Sequence, residues 1–173
     1  MKEVVWVYGP SAAGKESLIK FLLSNEGADL RNKLGWAAKR VAQCAESINY
    51  IAHSDDDPAL EKRNEIPQAV SKLLKDADVV LIKGQTVDFD ANFPKGLKEA
   101  LPIAHHKIIL LSVEPGELAQ RLVQKKWWSG LHNPYDYSKG EIEVQGRQID
   151  SLRGEFEIIN LDSSKNNGYE FIK

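Results

Sequence analysis

Residues 4–17 read Val-Val-Trp-Val-Tyr-Gly-Pro-Ser-Ala-Ala-Gly-Lys-Glu-Ser. The first five are β-branched or aromatic and apolar throughout, the signature of a strand buried on both faces. Gly9-Pro10 stops that strand. Beyond it, Leu18, Ile19, Leu22 and Leu23 recur at helical spacing, so a helix is expected from about Lys15 to Ser24. Between strand and helix, Gly9 to Lys15 fits G-x-x-x-x-G-K, in the strand–turn–helix setting that this pattern needs. Gly9 and Gly14 let the backbone curl until successive N–H groups of Ser11, Ala12 and Ala13 point at one anion. The helix opening at Lys15 adds its positive dipole end. Lys15 then carries a point charge to the β and γ oxygens of a polyphosphate.

Further along, the same alternation repeats. Val79–Ile82, Ile108–Val113 and Phe156–Leu161 read as buried strands. Between them Ala69, Val70, Leu73 and Leu74 share a helical face, with Pro67 suited to a first turn. Leu118, Leu122 and Val123 share another behind Pro115. Ile142, Ile149 and Leu152 suggest a third, interrupted by Gly146. Continuous apolar strands alternating with amphipathic helices predict an α/β domain whose parallel sheet is covered on both faces. One more strand belongs between Gly27 and Asp57, where Arg40–Ala45 and Ile48–His53 compete. Neither a linker nor a repeat divides the chain, so residues 1–173 are expected to form a single domain.

Composition excludes several classes. Of 173 residues, 42% are hydrophobic and 28% charged, with 23 Lys and Arg against 25 Asp and Glu. That balance lacks the basic surplus of a nucleic-acid binder. The longest unbroken apolar stretch, Val4–Tyr8, is far too short to span a membrane, as is Ile108–Leu111. No signal-peptide pattern opens the chain, and one cysteine, Cys44, cannot build a disulfide framework. A cytoplasmic protein with neither membrane nor nucleic-acid partners is expected, with Cys44 as a small buried hydrophobe. His53, His105, His106 and His132 show no metal-binding spacing.

Gly9 to Leu18 resembles the phosphate loop of guanylate kinase, and more closely that of the ribose bisphosphate phosphokinases. In the latter an acid followed by Ser or Thr commonly succeeds the lysine, as Glu16-Ser17 does here. Ala12 stands where those relatives usually carry Gly. Fainter similarities follow in Glu117-Leu118-Ala119-Gln120-Arg121-Leu122, in Glu141-Ile142 with Arg147, and in Ile159-Asn160. The resemblance implies a P-loop NTPase fold of the kinase kind: three α/β/α layers and a five-stranded parallel sheet. The Val4 strand would be central, with Val79–Ile82 beside it. It implies an ATP-dependent phosphotransferase using Mg²⁺, with a small-molecule phosphate acceptor, either a nucleoside monophosphate or a phosphorylated metabolite. A nucleotide-binding regulatory module without transfer is the alternative.

The resemblance also distributes roles. Lys15, Arg121 and Arg147 would neutralise the transferring phosphoryl group; Lys125, one turn beyond Arg121, is a weaker candidate beside the two arginines. Gly9, Ser11, Ala12, Ala13, Gly14, Lys15, Glu16 and Ser17 would hold the nucleotide phosphates. The hydroxyl that normally follows the lysine and ligates Mg²⁺ is displaced to Ser17. Glu16 either approaches the metal, directly or through water, or points to solvent from the first helical turn. The acid expected after Val79–Ile82 is replaced by Lys83-Gly84-Gln85. Asp55-Asp56-Asp57, Asp88 and Asp90 are the alternative carboxylates, with Asp55 the candidate base or metal ligand and Asp57 an N-cap before Pro58. A lid-like segment is expected over 126–147, with an aromatic loop from Lys126 to Gly140. In it Trp127 and Trp128 either cover substrate or anchor the Tyr135–Tyr137 stretch.

Overall fold

The computed structural model describes residues 1–44, 58–84, 92–126, 128–164 and 168–172, the side chains of 58–64 and 92–93 excepted. In chain order the elements are β1 (Glu3–Tyr8), α1 (Lys15–Leu23), α2 (Ala28–Lys33), β2 (Val41–Gln43), α3 (Pro58–Leu73) and β3 (Val79–Lys83). They continue as α4 (Asn92–Ala100), β4 (His105–Ser112), α5 (Pro115–Val123), α6 (Pro134–Asp150), β5 (Glu157–Asp162) and β6 (Glu170–Phe171).

The sheet runs β2-β3-β1-β4-β5-β6. All neighbours are parallel except β5 and β6. β1 lies between β3 and β4, as expected, with Val7 opposite both Lys83 and Ile109. Among the described residues the expected five strands are six. The extra one, β6, pairs only Phe171 and Glu170 with Leu161 and Asp162 at the edge. Two residues carry no periodicity, so a strand that exists by pairing alone leaves no trace in the sequence. Of the two segments competing for the second strand, Arg40–Ala45 contains β2; Ile48–His53 lies outside the described residues.

Alternation along β1 divides the core into two layers. Val4, Trp6 and Tyr8 face one cluster with Ile66, Val70, Leu97, Ile108 and Ile149. Val5 and Val7 face the other with Leu18, Ile19, Leu22, Trp36, Ile109 and Leu118. Trp6 and Tyr8 stack with ring centroids 5.8 Å apart. Cys44 is fully buried, as expected.

Three helix readings are corrected. Pro67 lies inside α3 rather than in its first turn. Pro58 already holds the N-terminal position, and Ile66, Val70 and Leu74, buried at four-residue spacing, carry the helix through. Val123 is exposed while Ala119 takes its place in the α5 stripe. Gly146 does not interrupt α6, because the buried Gln145 and Ile149 on either side hold that stretch against the core.

The aromatic loop is also shorter than the expected 126–140. Asn133 caps α6, its Oδ1 accepting from the N–H groups of Tyr135 (2.9 Å) and Asp136 (3.3 Å). Pro134 fills the first helical position. Tyr135, Tyr137 and Gly140 are therefore helical. No helix among the described residues is long and apolar enough to cross a membrane.

Candidate active site

The loop between β1 and α1 closes by a tight turn, Ala13 N–H donating to the Pro10 carbonyl at 3.0 Å. Gly14 then enters α1 with φ 94°, a left-handed conformation that costs glycine nothing and costs an L side chain about 1 kcal/mol or more. Ala12 adopts φ 64°, bearing that penalty itself, at the position where the resembling kinases usually carry Gly. The result is the concave backbone expected from the motif, at the C-terminal end of the parallel strands.

Lys15 sits inside it. Its Nζ donates to the carbonyls of Gly9 (2.7 Å) and Pro10 (3.0 Å). Burial of the ammonium pulls its pKa down to about 8, with Lys83 and Lys125 adding to the depression and Glu141 opposing it. A bound polyphosphate reverses that balance and raises the pKa. Polyphosphate binding is thus expected to take up a proton at about pH 8.5, and affinity to be flat below pH 8 and to fall above it. Calorimetry in buffers of different ionisation enthalpy reads this directly; equal heats in all of them at that pH would contradict it.

The rim of the loop is met by a side chain that sequence reasoning singled out only as part of a faint similarity. Glu141 of α6 accepts from the Ser11 N–H at 2.6 Å through Oε2 and from the Ser11 hydroxyl at 3.0 Å through Oε1. Tyr137, one turn earlier, donates its hydroxyl to the same Oε1 at 2.8 Å. Burial, that hydrogen bond and the Glu141 charge push the Tyr137 hydroxyl up to about 12, so it remains a donor throughout the neutral range. Trp128 meets the Tyr137 ring edge-on at 5.3 Å and His132 stacks on it at 6.4 Å. Trp128 is thus a packing anchor for the Tyr137 turn. A Tyr-x-x-x-Glu spacing on one helix face marks the pair in the sequence; their meeting with a loop some 130 residues away has no local signal.

The two candidate arginines go elsewhere. Arg121 braces the back of the loop. Its guanidinium donates to the carbonyls of Ser163 (2.5 Å) and Ala13 (3.4 Å) and pairs with Glu117. The Ser163 hydroxyl donates to the same Ala13 carbonyl at 3.0 Å. Arg147 is exposed on α6, about 120° around the axis from Glu141 by helical geometry. Besides Glu141, the charges that act on Lys15 are those of Lys83 at the end of β3 and Lys125 just beyond α5.

As for a divalent ion, Glu16 is exposed and paired with Lys20 at 2.9 Å, and Ser17 is exposed. Lys20 is the main reason the Glu16 carboxyl is held below its usual range. Among the described residues no three His, Cys, Asp or Glu side chains converge on a metal position. Lys83 brings a positive charge to the strand end where a metal-binding acid is expected. The donor set among the described residues therefore does not fit Mg²⁺. Asp55, with Asp57, Asp88, Asp90, His53 and Trp127, lies outside those residues.

No protein-family model and no curated protein sequence matches the chain. Solved structures do. Shikimate kinase from Acinetobacter baumannii in complex with shikimate superposes with a TM-score of 0.54 at 14% identity, over 97% of this chain and 86% of that one. A sugar kinase from Janibacter sp. HTCC2649 gives 0.51 at 15% identity, over 96% and 88%. A gluconokinase from Sinorhizobium meliloti 1021 gives 0.50 at 17% identity, over 95% and 84%. With the strand order, the loop and its half-buried lysine already in place, the conclusion is that this chain has the fold of the P-loop kinases.

Proposed function

We propose that the protein is an ATP-dependent phosphotransferase that moves a γ-phosphoryl group to a small acceptor, a nucleoside monophosphate or a phosphorylated metabolite. The observation that carries this reading is the β1–loop–α1 cradle with its desolvated Lys15, whose rim already holds a carboxylate in an anion's place. Its fold neighbours are named as a shikimate kinase, a sugar kinase and a gluconokinase, which supports a small acceptor.

In the proposed reaction the acceptor oxygen attacks the γ-phosphorus, the bond from that phosphorus to the β–γ bridging oxygen breaks, and ADP leaves. Charge accumulates on the bridging and equatorial oxygens as this happens. Lys15, turning from the Gly9 and Pro10 carbonyls, and the N–H groups opening α1 would meet those oxygens, which is stabilisation of the transition state more than of the ground state. Arg121 contributes by holding the Ala13 carbonyl, and so the loop's curvature. Arg147 would come to the phosphates when acceptor and nucleotide are both bound. The lid-like segment expected over 126–147 would cover the loop through its Tyr137–Glu141 turn and keep water from the γ-phosphate.

The experiment follows ADP formation from ATP across a panel of nucleoside monophosphates, sugar phosphates and small hydroxylated metabolites. One acceptor is expected to raise the rate well above that with water alone. Binding of ATP with the same slow hydrolysis for every acceptor would favour the regulatory module instead.

A further inference from the structure

Lys83 is the last residue of β3, in register with Val7, two residues before the loop begins. It is half-buried and acts electrostatically on both Lys15 and Glu16. Lys125, exposed beyond the end of α5, acts on the same two residues from another side. The loop lysine, the last residue of β3 and a residue just beyond α5 thus bring three positive charges that bear on the start of α1. Two carboxylates answer them. Glu16 is turned outward to Lys20, and Glu141 is held on Ser11 with its charge toward Lys15. The position of Glu141 is the independent sign that the mouth is an anion site, because its two oxygens take the N–H and hydroxyl that a phosphate would take.

P-loop enzymes commonly neutralise the phosphate tail with a divalent ion, held by the hydroxyl after the loop lysine and by an acid on a neighbouring strand. Here the first position is Glu16, and the second neighbourhood carries Lys83. A cation fixed at that strand end repels a divalent ion and attracts phosphate oxygens, and it does so strongly in the poorly solvated interior of a loop. We propose that Lys83, with Lys15 and Lys125, binds the polyphosphate tail in place of a divalent cation, and that the tail displaces the Glu141 carboxylate from Ser11 to do so. The site would take a nucleoside triphosphate in its metal-free form. This rests on the nucleotide reading above, and it adds to that reading the source of the neutralising charge.

Titration calorimetry with ATP and with inorganic tripolyphosphate, each in EDTA and in excess Mg²⁺, tests it. The parent protein is expected to bind both probes in EDTA at least as tightly as in Mg²⁺. One charge-assisted contact fewer in Lys83→Gln should weaken binding in EDTA by about tenfold or more, with Lys83→Arg restoring most of it. Glu141→Gln, which removes the competing charge, should tighten binding of both probes. Melting temperatures of each variant separate loss of charge from loss of fold, and the exposed Lys125→Gln supplies a second reading in the same direction. Binding of ATP in Mg²⁺ but not in EDTA would overturn the lysine site and leave the phosphotransferase reading standing. Parent-like affinity of a folded Lys83→Gln in EDTA would do the same. Absence of ATP binding under both conditions would remove both.

Discussion

Lys15→Ala is expected to lower phosphoryl transfer by a hundredfold or more while the protein stays folded. The reason lies in where the charge sits. Contacts made to oxygens that become more negative in the transition state are worth several kcal/mol, on the order of a hundredfold or more in rate. The same group burdens the free protein. Burial holds its pKa at about 8, well below the ordinary value of 10.5, so at neutral pH the folded state carries an ammonium it would rather not hold. The sign follows from linkage. Between pH 8 and 10.5 the unfolded chain binds the proton that the folded one has lost. This group's contribution to stability therefore rises with pH through that window and is at its most unfavourable below it. Lys15→Met, which keeps the stem and removes the charge, should accordingly lose transfer and melt higher than the parent at pH 7. Transfer at the parent's rate in either variant would end the phosphotransferase proposal. A Lys15→Met protein that melts well below the parent would show that the ammonium is a net structural support.

Gly84→Ala is expected to be the most damaging small substitution in the frame of the site. Gly84 follows Lys83 at the end of β3, its N–H donating to the Val7 carbonyl at 2.9 Å. A Cβ there would lie 2.1 Å from Tyr8 Cε1 and 2.3 Å from Cδ1. The Tyr8 ring is 2% exposed and stacked on the fully buried Trp6, so it has nowhere to turn. Overpacking of a closed core costs about 3 kcal/mol in such a case. The strain enters β1 at the residue before Gly9, so polyphosphate affinity should fall with stability. Gly146→Ala is the contrast. A Cβ there meets nothing within 4 Å, and exchanging a mid-helix glycine for alanine should stabilise by about 1 kcal/mol. Urea denaturation of the pair reads both, and a Gly84→Ala midpoint equal to the parent's would show that Tyr8 yields more easily than its packing implies.

The parts of the fold that were legible in the sequence are those written in neighbouring residues. Val4–Tyr8 is apolar at every position because β1 is buried on both faces, and Leu18, Ile19 and Leu22 mark the inner face of α1 by spacing alone. Gly9, Gly14 and Lys15 announce the cradle because a phosphate loop is made almost wholly of its own backbone. Parallel neighbours could be inferred from the alternation of strands and helices, since a crossover is the only way to join them. By the same logic the start of α6 was legible in Asn133-Pro134, although Gly140 weighed more heavily in the expectation of a longer loop. The two-residue β6 was not, because it exists only by pairing with β5.

What only the tertiary structure decided is which side chains meet the cradle. Helical spacing placed Arg121 off the apolar stripe but could not say that its guanidinium would be spent on the carbonyls of Ala13 and Ser163. Nothing near residue 141 in the chain reveals that its carboxylate reaches Ser11, and nothing near Gly84 reveals the Tyr8 ring against it. Local sequence sets backbone conformation, because φ and ψ respond to adjacent residues. The direction of a charged side chain is set by the electrostatics and packing of distant elements, which come together only when the sheet and its helices close.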